Sequence, residues 1–179
     1  MSAWTTLAHV KLGSNQANIT FSGIPQTYTD LRLVYSLRTT LGGLNFDDMS
    51  MRINGDTSSV YTNRTLRARE GTLSALSGTG NRLDIYEACA SAAAANSFGN
   101  GEIYIPNYSQ SGTKRISSMG YSIADSTTLQ GGIVSGLWSG NAAVTSITLF
   151  SANGQNLVQY SSATLYGILK GSSGGVTVS

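Results

Sequence analysis

Apolar and polar residues alternate with period two along most of this chain. In TDLRLVYSLR, Leu31, Leu33, Tyr35 and Leu37 fall on one side, while Asp30, Arg32, Ser36 and Arg38 fall on the other. A strand sends successive side chains to opposite faces, so this run predicts a half-buried strand whose core face is set; only Val34 breaks the polar side. Similar short runs recur at WTTLAHVKL, ANITF, MSMRI, RLDIYEA, GEIYI, RISSMGYSI, GGIVSGLW, AVTSITLF and SATLYGIL. Together they predict about ten strands, mostly separated by the Gly, Asn, Ser and Asp residues that supply turn geometry.

No stretch carries a long helical stripe. Residues 88 to 95 hold helix-forming alanines, but the segment is short, and a single helical turn or an ordered loop is expected there. Many short strands with turn signals between them predict an all-β chain with little helix: a two-sheet antiparallel β-sandwich of jelly-roll type. Residues 1–170 read as one such domain. The remaining GSSGGVTVS, 171–179, lacks material for a core and reads as a flexible tail. The longest stretch without strand pattern runs from Ile53 to Asn81. A loop of that length in a compact domain is usually functional or ordered by a partner.

One of the two prolines ends a strand pattern in NGEIYIPNYSQSG. Ile103 and Ile105 share one face, Glu102 and Tyr104 the other. Pro106 cannot donate to a ladder, so it ends the pairing or marks an edge, and Asn107 to Gly112 turn the chain toward a strand near Lys114.

Composition narrows the function. Of 179 residues, 40% are apolar, enough for a core, but only 11% are charged, against ~25% in ordinary domains. Neutral polar groups and 21 glycines must therefore make the surface, which suits lasting contact with other proteins. A net charge of +2 is too small a bias for a nucleic-acid face. No apolar run approaches the ~20 residues of a membrane helix, and MSAWTTLAHVKLG lacks the pattern of a signal peptide, so synthesis in a cytoplasm is expected. The single Cys89, among small residues, reads as a buried thiol.

Candidate chemistry is sparse. His9 is the only histidine and sits in a strand pattern, so a nucleophile triad has no base elsewhere. Asp47 and Asp48 point apart if strand-like; Glu87 and Glu102 would make a glycosidase pair only if they faced one cleft. NGDTSS, from Asn54, resembles half of a calcium loop but reads better as a hairpin turn built on Asn-Gly. Neither catalytic residues, nor a cofactor, nor a metal site is expected. Arg64, Arg67 and Arg69 form the one local cluster of positive charge, placed in the long loop, where guanidinium forks suit a partner's carboxylates and carbonyls. Among the nine tyrosines, Tyr35 and Tyr104, like Trp138, read as core or inter-strand packing. Tyr61 and Tyr108 are the better candidates for exposure. Partner contact is thus expected at Arg64, Arg67, Arg69, Tyr61 and Tyr108. The Asn-X-Ser/Thr triplets at Asn18, Asn63 and Asn107 are chance matches in so Asn- and Ser-rich a chain.

Five stretches, FSGIPQTYTDLRLVYSLRTT, MRINGDTSSVYT, FGNGEIYIPNYS, GLWSGNAAVTSITLFSANG and QYSSATLYGIL, resemble successive blocks of a family of tailed-bacteriophage virion proteins. Its members are small capsid decoration (cement) proteins and related tail-fibre domains. The resemblance spans roughly residues 3 to 169 and is weakest from Asn63 to Asn96. It brings no catalytic motif. It implies a structural protein of the virion, made in the host bacterial cytoplasm and exposed on the particle. It also implies a homotrimer and a partner in the major capsid protein. The alternative it leaves is a tail or tail-fibre component that meets other tail proteins or a host-surface receptor, with a glycan among the ligands.

Overall fold

A computed structural model describes residues 4–125 and 127–169; the expected tail, 171–179, lies outside them. The described chain is all-β and builds fourteen strands. In order these are β1 (Trp4–Lys11), β2 (Asn18–Ser22), β3 (Asp30–Leu37), β4 (Phe46–Asp47) and β5 (Met49–Ile53). β6 (Tyr61–Arg69), β7 (Thr72–Gly80), β8 (Leu83–Asp84), β9 (Ala88–Cys89) and β10 (Gly99–Ile105) follow. The last are β11 (Lys114–Ile123), β12 (Leu129–Trp138), β13 (Ser146–Ser151) and β14 (Ser162–Ile168).

Eight strands form one sheet, ordered β1-β14-β3-β10-β11-β12-β6-β7, and four form a second, ordered β2-β13-β5-β8; β4 and β9 pair by themselves. Every pairing between these strands is antiparallel. The two main sheets stack as a β-sandwich, and the alternation explains why. Leu31, Leu33, Tyr35 and Leu37 of β3 with Ile103 and Ile105 of β10 meet Ile19, Phe21, Met49, Met51, Ile147 and Leu149 of the small sheet in one buried cluster. Burying a side chain of this size contributes about 1.5–3 kcal/mol.

All ten expected runs contain a strand. RLDIYEA keeps only the two residues of β8, because its remainder leaves the sheet. Residues 85–90 cross beneath the large sheet instead, filling the space that the narrower small sheet leaves open. The Ser122 hydroxyl donates to the Glu87 carbonyl at 2.9 Å. The glycines above this crossing have a reason. A Cβ on Gly120 would meet Tyr86 Cβ at 2.8 Å, and one on Gly132 would meet Tyr86 Cε2 at 2.4 Å.

The expected loop from Ile53 to Asn81 is a correction. Most of it is the β6–β7 hairpin, paired without a register shift from Tyr61↔Gly80 to Arg69↔Thr72. Its two-residue turn, Glu70-Gly71, has φ of 49° and 81°, the left-handed pair of a type I′ turn. The Asn54-Gly55 turn has the same signature, with φ of 54° and 66°. It does not close a hairpin, however: β5 lies in the small sheet and β6 in the large one. Residues 88–95 form no helical turn. Past β9 they are an ordered loop, held by Arg38, whose guanidinium donates to the carbonyls of Ser91, Ala93, Ala94 and Ser97 at 2.7–3.3 Å.

After β10 the chain turns as the sequence predicts. Asn107 takes φ of 49°, and its N–H donates to Asp30 Oδ1 at 2.8 Å. The buried Lys114 ammonium closes the turn by donating to the carbonyls of Gln110 and Gly112; burial lowers its pKa.

Candidate interaction surface

The five expected partner-contact residues do not form one surface. Tyr61 and Tyr108 are buried core residues. The Tyr61 hydroxyl accepts the Ile53 N–H at 3.0 Å and lies 3.2 Å from the Asp56 carbonyl, tying the Asn-Gly turn to β6. The Tyr108 hydroxyl donates to the Pro25 carbonyl. Both rings serve the sandwich, so a role in outward contact is overturned for them. The arginines separate because they lie on a strand and not in a loop. Arg67 and Arg69 point under the sheet, and Arg64 points to its outer face.

Beneath the sheet, Arg67 Nη1 lies 2.7 Å from Glu87 Oε1, and Arg69 Nη2 lies 2.9 Å from both Glu87 oxygens. Gln130 donates to the same carboxylate and accepts Arg69 Nε at 2.6 Å. Glu87 is only 4% exposed, so this fan of donors is what keeps its charge tolerable in the interior. Asp48 adjoins it. Burial, with the Glu87 charge next, raises the Asp48 pKa, and Arg67 pulls it back. A polar hollow of about 350 Å³ lies here, lined by Asp48, Arg67, Arg82, Asp84, Tyr86 and Glu87 among others.

Glu102, by contrast, lies on the outer face, where it pairs with Arg32. The sheet itself stands between Glu87 and Glu102, so they share no cleft. Asp47 is buried and accepts from Ser151 Oγ at 2.8 Å and Asn153 Nδ2 at 2.7 Å. Asp56 accepts from the Ser58 N–H at 2.9 Å, from the Ser58 hydroxyl, and from Trp138 Nε1 at 2.9 Å, and these bonds, those from Ser58 foremost, lower its pKa. His9 is exposed on β1 with Nδ1 2.8 Å from Thr164 Oγ1. Cys89 is buried, and that burial raises its pKa. Among the described residues, no group of three or more His, Cys, Asp or Glu gathers as metal ligands would.

What the fold does expose is an apolar outer face on the large sheet. The register aligns Val34, Glu102, Met119, Ile133 and Leu66 in one row across β3, β10, β11, β12 and β6. The next row brings Tyr121, Gly131, Ala68 and Leu73 side by side. Ile123 and Leu129 pair beyond them. Val34, Leu66, Leu73, Met119, Tyr121, Ile123, Leu129 and Ile133 are each 40–68% exposed. At that exposure they present on the order of 700 Å² of apolar surface, above the ~300–600 Å² of the largest patch on an ordinary monomer. Gly131 and Ala68 leave the sheet nearly bare between Tyr121 and Leu73, so the face dips into a trough of about 530 Å³. Arg67 lines the trough through its strand, with its guanidinium on the other side of the sheet; among the described residues the one charge left along the trough is Glu102, which Arg32 already neutralises.

This face is hidden in the sequence because period-two alternation marks an apolar side without saying which way it points. In β11 the apolar set is Met119, Tyr121 and Ile123, alternating with Ser118, Gly120 and Ser122. A core-facing assignment would take the first set, yet the second faces inward. The available signal was the run of Gly and Ser itself, which marks a close approach by something else. No protein-family model matches the chain, and no curated protein matches it.

Proposed function

We propose that this chain is a non-enzymatic structural protein of a tailed-bacteriophage virion, a capsid decoration protein that docks on the outer shell and bridges capsid subunits. The observation that carries the proposal is the recessed apolar patch around Met119, Tyr121 and Ile133 on the outer face of the large sheet, where the lining carboxylate of Glu102 is paired with Arg32. Such a face loses little when desolvated and matches protein surface far better than phosphate. The low total charge points the same way, and the resemblance of five ordered sequence blocks supplies the particle. Docking stabilises the shell by mass action, because a ligand of the assembled state alone shifts the balance toward it. We assign the sandwich to the jelly-roll type, which is supported by the chain's repeated passage between the two sheets.

The test mixes purified protein with empty expanded capsids. Bound copies should raise the capsid melting temperature. Replacing Met119 and Ile133 together with Ser should cut occupancy at least tenfold, while the isolated domain's stability moves by no more than ~1 kcal/mol. Protein that ignores capsids but sediments with host cells overturns the proposal and favours the tail reading. That second reading has its own observation, the polar hollow beside Asp48 and Glu87, whose size and hydrogen-bonding groups suit a sugar ring. Arg64→Ala is the clean test of the arginines, since Arg67 and Arg69 are committed to Glu87.

A further inference from the structure

The large sheet ends differently on its two sides. At β1 the edge is irregular: the register shifts between Thr6 and Ala8, and the strand carries His9 and Lys11. Bulges and charges of this sort discourage a further strand from adding. At β7 there is no such protection among the described residues. TLSALSGTG has nine residues, no charge and no proline, and it runs against β6 without a shift. Leu73 and Leu76 are 68% and 45% exposed on its two faces.

The turn fixes which backbone groups lie free. A two-residue type I′ hairpin closes on a hydrogen-bonded pair, here Arg69 and Thr72, and bonded and non-bonded pairs then alternate. Residues 72, 74, 76, 78 and 80 therefore bond to β6. Leu73, Ala75, Ser77 and Thr79 turn their N–H and C=O groups outward along the edge.

We propose that this edge pairs with β7 of a second copy of this chain, antiparallel about a twofold axis at Leu76. This inference goes beyond the capsid reading and stands independently of it. The strand is complementary to itself. In the register of full overlap, Thr72 faces Gly80, Leu73 faces Thr79, Ser74 faces Gly78 and Ala75 faces Ser77 of the partner copy. Outward-facing groups then meet outward-facing groups throughout. Every pair contains at least one small residue, apart from Leu76, which meets its symmetry mate in a non-hydrogen-bonded pair where side chains lie closest. With no charge on the strand, two identical copies meet without repulsion; a charged peptide would find nothing to complement it. Such an isologous pairing closes at two copies.

The test uses the full chain and reads mass by analytical ultracentrifugation. Wild type should sediment as a dimer. Ala75→Pro removes an outward N–H without breaking a bond to β6 and should halve the mass; Met119→Ser, on the outer face, should leave it doubled. Leu76→Cys provides a reading that does not depend on tolerating proline: oxidation should yield a covalent dimer, because the only other thiol, Cys89, is buried. A monomeric or trimeric wild type overturns the proposal. So does a dimer that Met119→Ser dissociates, or a Leu76→Cys chain that stays uncrosslinked under oxidant.

Discussion

The two halves of the large sheet solve opposite problems. In β3 and β10 apolar residues point in and polar ones point out, as at Leu31, Leu33 and Tyr35 against Arg32 and Ser36. In β11 the sense is reversed: Ser118, Gly120 and Ser122 point in, while Met119, Tyr121 and Ile123 point out. The first half faces the small sheet, and its interior is filled by facing side chains. The second faces residues 85–90, a stretch of chain lying so close that its own Tyr86 ring and backbone need the room. Over the Tyr86 ring the inward positions of β11 and β12, Gly120 and Gly132, must be small. Nothing within the described fold requires the outward ones to be large, and it is this surplus that the proposed docking face draws on.

Adjacent glycines on β12 make the sharpest test of this contrast. Gly132→Ala would put a Cβ 2.4 Å from Tyr86 Cε2 and 2.8 Å from the Leu66 carbonyl oxygen. Neither a ring wedged under a sheet nor a strand backbone yields cheaply, so destabilisation of about 3 kcal/mol is expected. For a chain of this size that lowers the melting temperature by roughly 6–12 °C. At Gly131 the nearest neighbour of an added Cβ is the Gly120 carbonyl oxygen at 3.7 Å, an ordinary contact. Gly131→Ala should hold or slightly raise stability, since alanine suits a strand better than glycine. Equal melting temperatures for the two variants would break the contrast.

Glu87→Gln probes the ionic part of the reversed half. It removes the counter-charge of two arginines without changing volume. Arg67 and Arg69 keep 24% and 42% of their side chains exposed, so water recovers part of the loss. We expect about 2 kcal/mol, less than for a fully buried pair. Chemical denaturation measures it, and a change below ~0.5 kcal/mol would show that Glu87 holds nothing together.

The same division decides what the sequence could show. Strands were legible across both halves, since all ten alternating runs contain one, but direction was legible only in the regular half, where Ile103 and Ile105 point inward with Glu102 and Tyr104 opposite. The β6–β7 hairpin was hidden because its inward positions read Tyr, Asn, Thr, Arg and Arg. Ion pairing replaces apolar packing there, and the hydrophobic period vanishes. Its arginines therefore looked like a loop's charge cluster. Tyr61 and Tyr108 read as surface residues for a related reason. Each lies beside polar, turn-forming sequence, and only the tertiary fold shows their hydroxyls closing buried backbone groups. The outer face was half legible, visible as a period but not as a direction.

The smallest effect expected is at Asp48, and its sign is informative. Its pKa is raised in the folded protein by burial and by the Glu87 charge beside it. A carboxyl with a raised folded-state pKa contributes fully to stability below its unfolded pKa, and that contribution is lost as pH rises through the folded one. Ionised Asp48 is therefore a burden at neutral pH. Asp48→Asn should raise the melting temperature at pH 7 and give no gain in acid, below the ordinary carboxylate range. Asp56, in the turn between β5 and β6, supplies the control: hydrogen bonds from Ser58 and Trp138 lower its pKa. Its contribution is present above the unfolded pKa and lost as pH falls through the folded one, so Asp56→Asn should cost stability at pH 7. If Asp48→Asn destabilises at pH 7 as well, Asp48 is a partner of the arginine fan and not a strain upon it. The polar hollow would then be a satisfied structural network with no call for a ligand.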